Sequence, residues 1–266
     1  MVPFVEREDG VRLHWDESGE GPGLLVAYSY IQHPQVLKGL LAELQEGHRL
    51  ITYDARGAGE STRQGPYDMA TDVADLIALA EETGPLAAVA ANGDATNRAV
   101  HAAAQRRDLI PYVISMESVP LAPRQAAGTD SLISSSSVLE ALVGMMRTDY
   151  RSGLIAAIER GNPEWSQEQI RARVDAIVAY VDHDASVGRL DEWIRDDPGE
   201  DPAALGDHLI VAYEGAGGWF PADLSDLGSQ FLPEARFEKL ERGALTRPDL
   251  TAAVIRSVTG VSAPVR

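Results

Sequence analysis

Residues 89–97 read Val-Ala-Ala-Asn-Gly-Asp-Ala-Thr-Asn. An apolar run meets a turn of small residues at Gly93 and Asp94, and a helical pattern follows. A strand that feeds straight into a helix gathers backbone N–H groups and the positive end of the helix dipole at one point, which suits an anion. Gly93 tolerates a positive φ without steric cost, so the turn can be sharp. The Asp94 carboxylate would oppose a bound anion if it turned inward, and it is expected to point away. His33 has two readings, a base or a solvent-facing residue at a helix start. Asp182-His183-Asp184 contains metal-ligand types. Adjacent residues of a helix point in different directions, so no metal site is expected there. His101 reads as a packing or surface residue, and His14, His48 and His208 stand at strand starts without an evident partner. The chain has no Cys, which excludes disulfides, thiolate chemistry and Cys-ligated metals.

The elements that must position these residues follow from the hydrophobic pattern. Strands are expected over 10–18, 23–30, 48–54, 86–92, 109–117, 208–214 and 235–241. The near-continuous apolar run at 23–30 suits a strand buried on both faces. Helical spacing covers 33–47, with Gly47 as a plausible C-cap, then 68–84, 95–106, a stretch near 221–230, and 248–259. This alternation predicts a parallel sheet with helices on both faces. It stops between 118 and 206, where at least three helical patterns occur without an obvious strand. The first opens on a Ser cluster that can supply an N-cap. The second has Ser166 ahead of Glu168 and Gln169, close to a capping box. A helical insertion between two strands of one sheet is a cap. The core is thus expected at 1–117 and 207–266, and the cap at 118–206.

Composition narrows the function. A chain of 266 residues is long enough for one large α/β domain. The net charge of −18 suits solubility and argues against nucleic-acid binding, which needs basic surface. No apolar run is long enough to span a membrane, and no signal peptide is evident, so a cytoplasmic protein is expected. No cofactor is implied.

The order of elements resembles the α/β-hydrolase superfamily. Asp54-Ala-Arg-Gly-Ala-Gly-Glu-Ser61 matches the D-x-R-G-x-G-x-S loop that follows the fourth strand in many members. Residues 86–117 match the fifth strand, the elbow, its helix and the sixth strand. The resemblance covers essentially the whole chain. It implies an α/β-hydrolase fold, a mostly parallel sheet flanked by helices, with an inserted helical cap. The usual elbow, G-x-S-x-G, falls on Ala91-Asn92-Gly93-Asp94-Ala95, so Gly93 stands in the nucleophile's place. A one-residue slip would offer Asp94 as nucleophile, which the spacing to Arg106-Arg107-Asp108 disfavours. Gly217 falls where the acid is expected, with Glu117 as a substitute acid or a structural residue. Leu245 or Ala244 falls at the His position. A Ser–His–Asp relay needs all three groups. The resemblance also puts oxyanion-type backbone donors at Tyr30 and Asp94, donors that can stabilise an enolate. Tyr28, Ser29 and Tyr30 replace the usual His-Gly pair. Met145, Met146, Tyr150, Trp165, Trp219 and Phe220 read as core residues. The resemblance also makes them the roof of a wide apolar pocket, with Ile31, His33, Gly93, Asp94 and Leu245 completing its walls.

Within the superfamily the chain is similar to the atypical, triad-less group that contains a bottromycin peptide epimerase. That resemblance implies epimerisation of an aspartyl residue beside a thiazoline in a ribosomally made macrocyclic peptide. The substrate's own carboxylate would serve as base, through a planar enolate- or enamine-like intermediate. It implies a bulky, largely apolar ligand and leaves room for a downstream tailoring enzyme as partner. Two further classes stand beside it: a non-catalytic binder that holds a ligand under the cap, and a residual hydrolase.

Overall fold

The structure, a computed structural model, describes residues 3–30, 32–116, 118–120, 136–214, 224–241 and 247–262. Eight strands form one sheet: β1 (Phe4–Glu6), β2 (Arg12–Ser18), β3 (Gly23–Ala27), β4 (Arg49–Tyr53), β5 (Leu86–Asn92), β6 (Val113–Met116), β7 (Leu209–Glu214) and β8 (Arg236–Leu240). The spatial order is β1-β2-β4-β3-β5-β6-β7-β8. The first two strands are antiparallel to their neighbours, and β4 through β8 pair in parallel. Three residues of β1 lie ahead of the strands expected from the sequence, too short a run to leave a periodic signal. The expected strand over 23–30 ends at Ala27, and that over 109–117 begins only at Val113.

Helices α1 (Lys38–Leu44), α2 (Met69–Thr83), α3 (Ala95–Gln105), α9 (Leu224–Phe231) and α10 (Pro248–Thr259) accompany the sheet. Leu76, Leu79, Ala99 and Val100 of α2 and α3 join the core on one face. Leu40 and Leu44 of α1 and Ala252 and Ile255 of α10 join it on the other. The middle of β3 is therefore covered twice, and Leu24, Leu25 and Val26 are at most 1% exposed. Each such side chain contributes about 1.5–3 kcal/mol by burial. The helix expected over 33–47 is a 3₁₀ turn at Pro34–Leu37 followed by α1. It ends before Gly47, which takes its positive φ beyond the C-cap Gln45.

Between β6 and β7 the described chain is helical: α4 (Ser136–Thr148), α5 (Tyr150–Gly161), α6 (Gln167–Tyr180), α7 (His183–Arg195) and α8 (Asp201–Leu205). What the sequence presents as one pattern over 134–159 is two helices. Asp149 leaves the helical backbone and caps α5 through the Ser152 amide. Ser166 and Gln169 form a complete capping box at the start of α6. Helices α4 to α7 share a core that includes Leu139, Val143, Met146, Leu154, Ile170, Ile177 and Leu190, whereas Leu205 of α8 packs in the sheet core.

The chain leaves β3 for β4 on one side and returns to β5 on the other. Loops that diverge at such a reversal open a crevice at the carboxyl ends of the strands. Ala27 is level with Ala91, so Tyr28–Tyr30 and Gly93–Asp94 emerge side by side at that crevice.

Candidate functional site

Gly93 links β5 to α3 at φ +59°, a left-handed conformation that favours glycine. A Cβ placed on it would stand 3.3 Å from the Ser29 Cβ and 3.5 Å from its Oγ. The side chain that Gly93 lacks would therefore point at Ser29. Asp94 is the N-cap residue of α3, yet its carboxylate makes no capping bond to its own helix. It is buried and turned inward, where the Ser29 hydroxyl donates to Oδ1. The backbone N–H groups of Tyr30 and of Asp94 itself also face it. The expectation that Asp94 points away is thus corrected. The N–H groups expected to receive a ligand's oxyanion face this carboxylate instead. The physical reason is the positive field: the start of α3, and the Arg98 guanidinium one turn on, whose Nη1 lies 3.9 Å from Asp94 Oδ2. Burial pushes the Asp94 carboxyl above its ordinary value, and Arg98 and the Ser29 hydrogen bond offset part of that.

Beneath this corner lies a buried charge network. The Tyr30 ring is held between two guanidinium groups, Arg98 at 3.9 Å and Arg189 at 4.0 Å from its centroid. Its hydroxyl donates to Asp72 at 2.9 Å. Arg189, from α7, grips both oxygens of Asp72, from α2, at 2.7 and 2.8 Å. Its Nη1 donates to the Arg56 carbonyl at 2.7 Å. Arg56 in turn grips both oxygens of Asp75 at 2.7 and 2.8 Å. Arg98 donates to the Tyr28 carbonyl. Each charge has an opposite neighbour, as burial demands. The loop expected to be diagnostic, Asp54–Ser61, is also structural. Asp54 accepts from the Glu60 amide at 2.9 Å and the Tyr180 hydroxyl at 2.5 Å, and meets His14 at 2.8 Å.

A cleft of about 260 Å³, its open mouth included, lies against Tyr28, Ser29 and Tyr30. Tyr53 and Ala58 also line it, with Tyr180 from the end of α6. It is thus a slot lined by phenols with one serine hydroxyl. Burial raises the Tyr28 and Tyr180 hydroxyls far above their ordinary value, so both are neutral donors. His33 stands next to the slot, its ring edge on Tyr180 at a centroid distance of 5.0 Å. Its Nδ1 accepts from the Gln35 amide at the start of the 3₁₀ turn. Burial, reinforced by Arg173, lowers its basicity. Tyr53 and Tyr180 were not among the sequence candidates. One is the last residue of β4 and the other the last of α6, and only the fold brings them together.

No protein-family model matches the sequence, and no curated protein matches it. Solved structures do match in shape. An epoxide hydrolase from Bacillus megaterium superposes with a TM-score of 0.77 at 13% identity, over 97% of this chain and 100% of that one. A bromoperoxidase from Bacillus anthracis gives 0.76 at 14%, over 98% and 100%. An enol-lactonase from Burkholderia xenovorans gives 0.74 at 17%, over 97% and 100%. The chain has the α/β-hydrolase fold.

In this α/β-hydrolase-fold chain the remaining candidates fall in three groups. Ile31, Glu117, Gly217, Trp219, Phe220, Ala244 and Leu245 lie outside the described residues. Met146, Tyr150 and Trp165 pack in or against the core of the inserted helices, and Met145 is 43% exposed. None of these four lines the described slot. The helices bury their apolar faces on one another first. Of the four, only Tyr150 aims toward the site, its hydroxyl facing Ser186, whose own hydroxyl donates to the Tyr30 carbonyl. The histidines are held elsewhere. His48 meets Leu44 and Thr259, and His101 meets Asp196 and Asp201. His183 meets Asp184 and Met146, and His208 meets Pro111 and stacks on Tyr112. Asp182 pairs with Arg63 rather than with its neighbours. Among the described residues no group of three acidic or histidine side chains is arranged to hold a metal ion.

Proposed function

We propose that this protein is a non-hydrolytic α/β-hydrolase-fold enzyme, an isomerase that epimerises an acidified carbon in a bulky, ring-modified peptide. The observation that carries the reading is the corner at Gly93 and Asp94. The turn that offers a nucleophile in this fold has no side chain at Gly93, and a carboxylate occupies the neighbouring anion site. No histidine follows His208 in the chain, so β8 leads into no imidazole that could activate an alcohol. A tetrahedral oxyanion placed here would meet Asp94 rather than free N–H donors, which disfavours acyl transfer.

Proton transfer at carbon asks for less. A Cα proton beside a thiazoline is acidified by the ring C=N, and an aspartyl carboxylate in the substrate can take it. The protein then has to position the peptide, exclude water and accommodate a planar intermediate. The wider pocket, the peptide as ligand, a tailoring enzyme as partner and a cytoplasmic setting all belong to this proposal.

A second reading is a binder without chemistry. It is favoured by the lining of the slot, which among the described residues offers phenols and a serine hydroxyl but no carboxylate or imidazole. Mass spectrometry in deuterated water separates the readings, using a macrocyclic peptide with Asp next to a thiazoline. The expected result is uptake of a single deuterium at Cα with inversion. Gain of water would establish a residual hydrolase, and binding without exchange a carrier.

A further inference from the structure

The hydroxyl missing from Gly93 is present one strand away. Ser29 follows β3, its Oγ lies 3.5 Å from where a Gly93 Cβ would be, and it lines the slot. Behind it the Asp94 carboxylate accepts its hydrogen bond. Ser29 therefore connects the slot to a buried carboxyl group that has no direct opening of its own onto it. Burial, the largest influence, favours the neutral acid, while Arg98 at 3.9 Å, the Ser29 hydroxyl and the Tyr30 and Asp94 amides favour the carboxylate, so both forms have support at this position.

We propose that Ser29 and Asp94 form a proton relay that opens onto the slot and delivers a proton to substrate carbon. The proposal rests on the epimerase reading, and stereochemistry gives it its place. Inversion requires the proton to leave one face of the carbon and arrive on the other. A substrate carboxylate that stays on the departing face, without rotation about Cα–Cβ, cannot serve both. In the step we assign, the C–H electron pair moves into the adjacent C=N as the substrate carboxylate takes the proton. The pair then returns to carbon as the carbon takes the Ser29 hydroxyl proton from the opposite face. The Asp94 acid proton passes to the Ser29 oxygen in the same movement. The substrate ends protonated on its carboxylate and Asp94 ends ionised, and exchange with water restores both. Before the step the Asp94 hydroxyl donates to Ser29. After it Ser29 donates to Asp94, the arrangement observed.

The test has a part without substrate and a part with it. Infrared difference titration of the wild type is expected to show a neutral carboxylic acid near neutral pH. The signal should be absent in Asp94→Asn and shifted in Ser29→Ala. On the aspartyl-thiazoline macrocycle in deuterated water, both variants should still exchange the Cα proton. They should return deuterium with retention, and the inverted product should fall by about 100-fold, the usual scale of a lost general acid. Ser29→Thr, which keeps the hydroxyl, should recover much of it. The variants' thermal unfolding midpoints identify any that fail to fold, and Asp94→Asn keeps the shape of the group it replaces. An Asp94 ionised throughout about pH 5–8, or inversion at the wild-type rate in Ser29→Ala and Asp94→Asn, would overturn the relay. If the wild type does not exchange the macrocycle at all, the epimerase reading fails instead. The relay is then decided by the infrared signal alone, and one that Ser29→Ala leaves unmoved overturns it.

Discussion

Gly93 and Asp94 are adjacent, and they divide what a sequence can and cannot reveal at the scale of a residue. Gly93 was legible: a strand meeting a helix through small residues demands a sharp turn, and φ is +59°. The direction of the Asp94 side chain was not, because Ser29, distant in sequence, fixes it together with Arg98 one helical turn on. Tyr28, Ser29 and Tyr30 stood out through the resemblance, which puts them in place of the usual His-Gly pair, although the apolar run placed them inside the strand rather than after it. The two-guanidinium setting of Tyr30 depended on Arg189, which lies far along the chain on α7 with no pattern to flag it. The chemistry expected of a restored nucleophile follows from these contacts. Gly93→Ser introduces a Cβ 3.3 Å from the Ser29 Cβ at a left-handed φ. It should cost about 1–2 kcal/mol of stability and give no hydrolysis, since no histidine follows β8 to deprotonate the hydroxyl. Turnover of nitrophenyl esters should remain at the buffer background in wild type and variant alike. A covalent acyl adduct on the introduced hydroxyl, seen by intact-protein mass spectrometry, would contradict this.

At the scale of elements, α7 matters more than its exposed sequence pattern suggests. Its Arg189 is buried, and through Asp72 and the Arg56 carbonyl it joins the inserted helices to α2 and to the loop after β4. Helix periodicity announced that α4 to α7 exist, because their apolar faces pack on each other. It could not announce the break at Asp149, where a side-chain cap replaces a helical turn, nor a buried arginine that reads in sequence as a solvated charge. Arg189→Ala should cost about 3–5 kcal/mol, because it leaves Asp72 buried without its bidentate partner. In an Asp72→Asn background the same substitution should cost markedly less, since the stranded charge is gone. Urea unfolding midpoints of the four proteins measure the coupling. Equal losses in both backgrounds would show that the pair does not act as a unit.

For the whole molecule, the alternation of strands and helices along the chain was legible because it is written in hydrophobic spacing. The ties that close the insertion on the sheet were not, since each joins distant segments through charge. Among the described residues they include Arg189–Asp72, Arg63–Asp182 and His101 with Asp196 and Asp201. Of these three, only the last can titrate near neutral pH.

His101 projects from α3 toward the end of α7 and the start of α8. Asp201 lies 2.7 Å from Nδ1, Asp196 lies 3.2 Å from Nε2, and Asn97 also holds Asp196 at 2.7 Å. The hydrogen bond to Asp196, with that to Asp201 behind it, outweighs burial and raises the imidazole above its ordinary value. A histidine whose folded pKa exceeds its unfolded value, about 6.5, stabilises the fold fully below that value. The contribution is lost as pH rises through the folded pKa. His48 has the opposite sign, because burial lowers it, and its contribution is lost as pH falls through its folded pKa. Comparison with His101→Gln isolates the first effect, since His48 is common to both proteins. The difference in unfolding free energy between wild type and His101→Gln should be largest below about pH 6. It should shrink steadily toward alkaline pH as the imidazolium loses its proton. The relevant measurement is the urea midpoint of each protein at half-unit steps across that range. A difference that stays constant, or grows with pH, would mean that His101 holds α8 to α3 as a neutral ring and that the two carboxylates do not share a charge with it.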